Sequence, residues 1–389
     1  MADRIRVVHA ITLLEWGGAQ ENTLFTVASL DRERFEPILA SGTGGLLDAR
    51  AASIPGCRWA PVPSLVREPS PASDAAAFLA LRRLFRTLRA ESRSPVVVHT
   101  HSSKAGIVGR AAARAAGVDL AVHSVHGFGF HDGQRPAVRA FYAGLERVAA
   151  RWTDAFVAVS EANVRTGVRE RIFPRERCRL IRSGFDTARF LAGDRGRGRA
   201  LLGLPEGVPV VGTVAVFKPQ KSPLDFVEVA RRIAPDFPDA RFVMVGDGEL
   251  RPAIERAVRE AGLGGRFLLP GWREEVPDLL RAFDLFLLTS RWEGLPKVVP
   301  QALIAGVPVV ATAVDGTAEI VDHGADGFLA GAGDVESLAA FARGVLRDGG
   351  GLRPGFKRER LLLEFDQDEM VRAQERLYLE LLGSGRFGR

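Results

Sequence analysis

Short apolar runs recur along the chain, each separated from the next by a stretch with helical spacing. In the front half the runs cover residues 7–11, 37–40, 96–99, 120–125 and 155–159, with helical stretches such as 75–89 and 104–116 between them. The back half repeats the scheme. Runs at 210–214, 241–245, 266–269, 285–288 and 307–311 alternate with helical patterns at 224–233, 251–261, 276–282 and 297–305. Strand-length apolar runs alternating with helices predict parallel sheets with helices on both faces. The expected fold class is α/β, with two doubly wound, Rossmann-like parallel-sheet domains in tandem. The join falls near 186–199, where "DTARFLAGDRGRGR" loses strand character and gains Gly and Arg. Domains are therefore expected at 1–190 and 191–365, with a last helix at 366–382 after the Gly/Pro/Arg-rich segment 349–357.

In open parallel sheets, ligands bind beyond the carboxyl ends of the strands. Two such domains facing a central cleft would place a site there, so the loops after strands carry the candidate chemistry. "LLEWGGAQENTL" follows the first strand, and its Gly17-Gly18 is either a phosphate-approaching turn or a plain strand-to-helix turn. "VHTHSSKAG" and "VHSVHGFGFHDG" hold His99, His101, His123, His126 and His131. The spacing His99-x-His101 is read as sending one ring to each side of the strand, so that at most one reaches the cleft. A helical His pair or a Cys partner for zinc is missing, so no metal is expected. "AVFKPQKSP" brings Lys218 and Lys221 before a helix, where two cations suit a diphosphate or are plain surface lysines. "LLPGWREEVPDLL" puts Trp272 in a post-strand loop, where its ring or backbone can meet a nucleobase. Glu293, in "TSRWEGLPK", is expected at the edge of a helix starting near Leu295–Lys297, where the positive dipole end favours a carboxylate. It can accept two sugar hydroxyls there. Gln301, a little over one turn in, offers a second polar contact.

Composition narrows these readings. The 389 residues exceed one ordinary core, which agrees with two domains. There is no run of ~18 apolar residues to span a membrane, and Met1-Ala-Asp-Arg leads straight into a strand-like run rather than a signal peptide. Two cysteines, Cys57 and Cys178, make neither a disulfide framework nor a metal cluster, so a cytoplasmic location is expected. Residues 1–190 hold 27 Lys+Arg against 18 Asp+Glu, net +9, and residues 191–389 hold 26 against 29, net −3. A basic front half points to an anionic partner or to a solvated arginine-rich surface. Only five of 53 basic residues are lysine, and Lys104, Lys218, Lys221 and Lys297 fall in the loops above. A compact ammonium suits a point contact with phosphate.

Together these loops resemble the retaining group 1, family-4 glycosyltransferases of GT-B fold. The resemblance runs over nearly the whole chain. It is strongest in "GDGELRPAIERAVREAGLGGRFLLPGW", "VPDLLRAFDLFLLTSRWEGLP", "QALIAGVPVVATAVDGTAEIV" and "GADGFL", with "GGAQENTL", "VHTHSSKAGIVGR" and "SGFD" in support. It implies that Gly17 and Gly18 approach the diphosphate of a UDP- or GDP-linked sugar and that Lys221 neutralises it. It implies that Glu293, with Gly294 and Leu295 beside it, holds the transferred sugar, that Gln301 holds the ribose, and that His126 sits beside the reacting sugar. It also implies that the last helix, 366–389, crosses back to the front domain. Two positions depart from the family: Gln301 replaces a Glu, and Val216 replaces an Arg five residues before the phosphate lysine, with Lys218 expected to stand in.

The resemblance further implies cell-surface polysaccharide assembly, with a saccharide or polyprenyl-diphosphate-linked acceptor, no metal or other cofactor, and no nucleic acid. The acceptor is expected on the front domain. There "FLALRRLFRTLRAE" sets Phe78, Leu81, Leu84, Phe85 and Leu88 on one face and Arg82, Arg86, Arg89 and then Arg93 on the other. That pattern suits an anionic membrane surface at the inner face, or an ordinary helix packed on the sheet. Two alternatives remain: a nucleotide-sugar 2-epimerase of the same fold, and a non-catalytic partner subunit. A redox Rossmann enzyme does not fit, because no G-x-G-x-x-G follows a strand.

Overall fold

The structure is a computed structural model that describes residues 4–384. Residues 1–3 and 385–389, at the outer ends of the expected first domain and last helix, lie outside the described residues. The chain divides into two compact units. One runs up to Gly184 and resumes from Gln367 onward; the other is Phe185–Asp366.

The first unit holds a parallel sheet of β1 (Ile5–Ile11), β2 (Phe35–Ser41), β3 (Arg58–Pro61), β4 (Val96–His101), β5 (Leu120–Val125), β6 (Ala155–Ala158) and β7 (Cys178–Leu180). Their order is β3-β2-β1-β4-β5-β6-β7. β4 and β5 are buried along their whole length, their polar residues His99, Thr100, His101, His123 and Ser124 included. Successive residues point to opposite faces. Val8, Ala10, Val96, Val98 and Ala121 pack on one side against Leu81, Phe85 and Leu88 of the helix Pro71–Glu91 and Ala112 of the helix Ser103–Ala116. Val7, Val97, Leu120 and Val122 pack on the other side against Met370, Val371, Leu377 and Tyr378. Those four belong to the last helix, Gln367–Gly383. Glu375 Oε1 there accepts the Asp31 N–H at 2.7 Å.

The helix Pro71–Glu91 starts where Ser70 accepts the Ser73 N–H and Pro71 needs no donor of its own. Its inner stripe is Ala77, Leu81, Phe85 and Leu88. Phe78 and Leu84 are only half-buried at its flanks, contrary to the single face expected for all five residues. Arg83, Arg86 and Arg89 are exposed, whereas Arg82 is half-buried. Arg93 lies past the helix end, because the chain turns extended at Ser92.

The second unit holds β8 (Val210–Val214), β9 (Arg241–Val245), β10 (Phe267–Gly271), β11 (Leu285–Leu288), β12 (Val309–Thr312) and β13 (Gly327–Ala330), ordered β10-β9-β8-β11-β12-β13. β12 begins two residues later than the apolar run, since Pro308 cannot donate to the ladder and its carbonyl only accepts the Phe286 N–H. After β9 the Gly-Asp-Gly turn lies against the loop after β8. Gly246 (φ 127°) and Gly248 (φ 154°) leave room there for the backbone of Ala215 and Phe217; a Cβ at Gly246 would stand 2.0 Å from the Ala215 oxygen. The Phe217 and Leu250 amides then bond across this contact at 2.8 and 3.0 Å. β3, β7 and β13 end their sheets and are only three or four residues long, too short for periodicity to reveal.

Candidate functional site

β8 and β11 are far apart in sequence but adjacent in the sheet, and the strand order reverses between them. Such a switch point opens a crevice at the carboxyl ends of the strands. The loop after β8 carries Lys218 and Lys221, and the loop after β11 carries Glu293. The Lys221 ammonium forms an ion pair with Glu293 Oε1, across 72 residues of chain. Ser290 Oγ donates to the same oxygen at 2.6 Å, and the Glu293 N–H donates to Asp315 Oδ2 at 2.8 Å. Thr289 Oγ1 donates to the carbonyls of Lys221 (3.1 Å) and Ser222 (3.0 Å), and Gln220 Nε2 donates to the Trp292 carbonyl at 2.9 Å. The loops after β8, β11 and β12 are thus joined into one surface. Two non-glycine residues in this surface take the left-handed region, Ser222 (φ 45°) and Asp315 (φ 42°). Strain of that kind costs ~1–3 kcal/mol and gathers at functional sites.

Glu293 is buried, at 7% exposure. The helix that follows begins at Val298 with Lys297 as its cap, at the end of the expected Leu295–Lys297 start. The carboxylate, four residues before that cap, meets Lys221 and Ser290. The ammonium of Lys221 has three donors. It can serve Glu293 and a phosphate oxygen together. Gly294 and the buried Leu295 complete the turn, and Gln301 lies buried within the helix Val298–Ile304. Lys218 is half-buried in the same loop as Lys221, with its backbone N–H on the Val216 carbonyl at 2.9 Å. Trp272, just past β10, is 42% exposed. Asp315 went unnoticed in the sequence, where "VDG" reads as an ordinary turn.

In the first unit the order reverses between β1 and β4. Gly17 is the extended cap of the helix Gly18–Ser29, whose N-terminus follows β1. Lys104 pairs with Asp74 at 2.7 Å and with the Glu68 carbonyl. His99 and His101 point to the same face of β4, with rings stacked 4.5 Å apart. The expected opposite orientation is wrong because side chains two apart in a strand share a face. His9 on β1 joins them, and ring nitrogens of His9, His99 and His101 lie within 4.8 Å of one another. All of those nitrogens except His9 Nε2 already have partners, however. His99 Nδ1 meets Tyr378 Oη at 2.5 Å and His99 Nε2 meets Ser124 Oγ at 2.8 Å. His101 Nε2 meets His9 Nδ1 at 2.9 Å, and His101 Nδ1 meets His126 Nε2 at 3.0 Å. His123 lies on the opposite face, with Nδ1 2.9 Å from Thr100 Oγ1. It packs beside Gly106, where a Cβ would stand 2.5 Å from the ring. Burial pushes the His9 imidazole down to about 3 and those of His99, His101 and His123 well below the usual range.

Comparison with known proteins bears on this arrangement. Residues 17–184 match the family described as "Glycosyl transferase 4-like domain", and residues 208–348 match "Glycosyl transferases group 1". An Escherichia coli UDP-Gal:alpha-D-GlcNAc-diphosphoundecaprenol alpha-1,3-galactosyltransferase is 33% identical over 341 residues, 86% of each chain. The lipopolysaccharide core biosynthesis glycosyltransferase LpsE of Rhizobium meliloti is 28% identical, over 56% of this chain and 62% of its own. Among solved structures, sucrose-phosphate synthase of Thermosynechococcus elongatus superposes with a TM-score of 0.82 at 21% identity, covering 98% of this chain and 100% of that one. HepE of Anabaena, in complex with UDP-glucose, superposes with a TM-score of 0.78 at 22% identity, covering 96% of this chain and 100% of that one.

Proposed function

This chain belongs to the group 1 glycosyltransferases, enzymes of GT-B fold, and on that premise we propose that it moves a hexose from a UDP-linked donor, with retention, onto a polyprenyl-diphosphate-linked saccharide during cell-surface polysaccharide assembly. The observation that carries this reading is the Lys221–Glu293 pair at the β8/β11 switch point. One partner suits a diphosphate and the other suits sugar hydroxyls, so a nucleotide sugar satisfies both at once. The uridine nucleotide and the lipid-linked acceptor are supported by the activity of the E. coli relative, a UDP-Gal:alpha-D-GlcNAc-diphosphoundecaprenol alpha-1,3-galactosyltransferase.

In the proposed reaction the bond from the anomeric carbon to the diphosphate breaks as the acceptor oxygen attacks the same face, and the departing phosphate oxygen takes the acceptor proton. Negative charge grows on the diphosphate while the sugar gains positive charge. Lys221, Lys218 and backbone amides stabilise the first, and the Glu293 carboxylate stabilises the second. These cations carry the phosphate charge without a metal. Gln301 reads the ribose, Trp272 lies near the base, Gly17 and Gly18 approach the diphosphate, and His126 meets the reacting sugar.

A thermal-shift panel of UDP-, GDP-, ADP- and dTDP-sugars tests the donor. At ~100 Kd a ligand adds ~2.7 kcal/mol to stability. A shift with UDP-sugars alone is expected, and a GDP-only shift would reassign the base. Product formed from donor without acceptor would instead favour the epimerase. Asp315→Gly tests the support of Glu293. It removes the carboxylate at a φ that glycine takes without strain. Turnover is expected to fall ~10-fold with the fold intact, since loss of positioning slows the chemical step; unchanged turnover would make Asp315 a plain turn residue.

Among the described residues no helix is long and apolar enough to cross a membrane. The lipid-linked acceptor is proposed to be met at an anionic membrane surface through the exposed arginines of Pro71–Glu91. The apolar stripe of that helix is buried on the sheet, so the contact is electrostatic. Charge screening acts beyond ~8 Å at about 0.15 M salt. Vesicle sedimentation is therefore expected to show binding to anionic lipid that fades with salt and weakens when Arg83, Arg86 and Arg89 are neutralised. Protein left in the supernatant at low salt would point to a soluble acceptor.

A further inference from the structure

β11 ends at Leu288, and the two hydroxyl residues that follow, Thr289 and Ser290, are both buried. Buried hydroxyls need partners. These two find theirs in different places. Thr289 Oγ1 reaches the carbonyls of Lys221 and Ser222 in the loop after β8. Ser290 Oγ reaches Glu293 Oε1, three residues on, at 2.6 Å. From the next strand, Thr312 Oγ1 reaches the Ser290 carbonyl, also at 2.6 Å. Thr312 closes β12, which pairs with β11 in the sheet. The backbone of Ser290 is therefore pinned by its neighbour strand while its side chain holds the acid.

Chemistry fixes the direction of both bonds. A carboxylate and a carbonyl only accept, so Ser290 donates to Glu293 and Thr312 donates to Ser290. An O–H on a carboxylate oxygen at this distance is a charge-assisted bond, roughly twice as strong as a neutral one. The Lys221 ammonium pairs with Oε1 as well, so both side-chain contacts of Glu293 fall on one oxygen. Oε2 has no hydrogen-bond partner among the described residues. The two donors to Oε1 differ in what else is asked of them. Lys221 comes from another loop and is also to serve a diphosphate. As it turns to that anion it gives up part of its hold on Glu293. Ser290 has one proton to donate, and it is spent on Oε1.

We propose that Ser290, seated by Thr312, is a positioning residue for sugar transfer. It fixes Oε1 of Glu293 so that Oε2 is the oxygen presented to the transferred sugar, and it keeps that aim while Lys221 serves the leaving diphosphate. This rests on the role proposed above for Glu293. A carboxylate that is to meet developing charge works best when its oxygen is aimed beforehand, and one free to turn about its last bond loses that advantage.

Steady-state kinetics and UDP calorimetry on the full-length protein test this in a double-mutant cycle of Ser290→Ala and Glu293→Ala. Ser290→Ala is expected to lower kcat ~10-fold with donor KM and UDP Kd within about twofold, since binding leans on Lys221 and the chemical step on the aim of Glu293. In the Glu293→Ala background nothing is left to aim, so Ser290→Ala is expected to change kcat there by less than about twofold. A further ~10-fold loss in that background overturns the proposal, because Ser290 would then act on the loop as a whole. UDP affinity that falls in step with kcat overturns it for the same reason. Wild-type kcat in Ser290→Ala beside a depressed Glu293→Ala overturns it while leaving the reading of Glu293 in place. Wild-type turnover in Glu293→Ala removes that reading, and the role of Ser290 falls with it. Thr312→Val keeps the shape of the side chain without its donor and is expected to lower kcat ~3-fold with the same split; unchanged kcat overturns the part given to Thr312. If Ser290→Ala does not fold, Ser290→Cys, a weak donor on a similar stem, takes its place in the cycle with the same expected and overturning results.

Discussion

Glu293→Gln is expected to lower turnover by ~10²-fold or more while the fold and nucleotide binding persist, because it removes charge matched to the sugar in the transition state. The amide keeps the shape of the carboxylate, and its oxygen can still accept from Ser290 Oγ, 2.6 Å away in the wild type. Losing the carboxylate also releases Lys221 from its ion pair, so the diphosphate meets an ammonium no longer shared. Binding of UDP should therefore hold steady or tighten while kcat collapses. Steady-state kinetics with calorimetry on the same preparation checks both halves. Wild-type turnover in a well-folded variant would take Glu293 out of the mechanism.

Lys221→Ala is expected to weaken nucleoside diphosphate binding by ~10–100-fold, since a charged hydrogen bond to phosphate is worth ~1.5–3 kcal/mol. Lys218→Ala is expected to cost less. Lys221 is tied to the Glu293 loop by its side chain and, through Thr289, by its carbonyl, whereas Lys218 lies three residues earlier in the loop. Part of the Lys221→Ala loss would come from Glu293, left buried without its counter-charge beside an anionic ligand. Repeating both lysine variants in a Glu293→Gln background removes that part. Calorimetry with UDP then ranks the two lysines directly, and equal or reversed losses would mean that Lys218 is the main phosphate contact.

The Val216 and Gln301 departures look different once the site is assembled. Gln301 is a buried amide in the helix Val298–Ile304, which follows the loop that holds Glu293; that loop is joined to Asp315. On the function proposed above, a neutral group at 301 adds no further negative charge to the donor site. Val216 stands where the family has an arginine but gives its carbonyl to the Lys218 N–H, which fixes the backbone beside the lysine proposed to stand in for it.

Much of this protein was determined by local pattern. The strands at 120–125, 210–214, 241–245 and 285–288 match the runs residue for residue, because strands covered on both faces are mostly apolar. Glu293 was legible as a lone acid, and Lys218 with Lys221 as two cations, in loops that follow such strands. Tertiary structure alone decided who meets whom. Lys221 and Glu293 are 72 residues apart and touch because β8 and β11 are neighbours; His9 and His101 are 92 apart and touch because β1 and β4 are. Periodicity reports whether a position is buried, not which strand lies alongside it. Asp315 and the histidine row depend on that second kind of information. So does the ion pair itself, since strand order and register arise from long-range packing and hydrogen bonding that no short window of sequence contains.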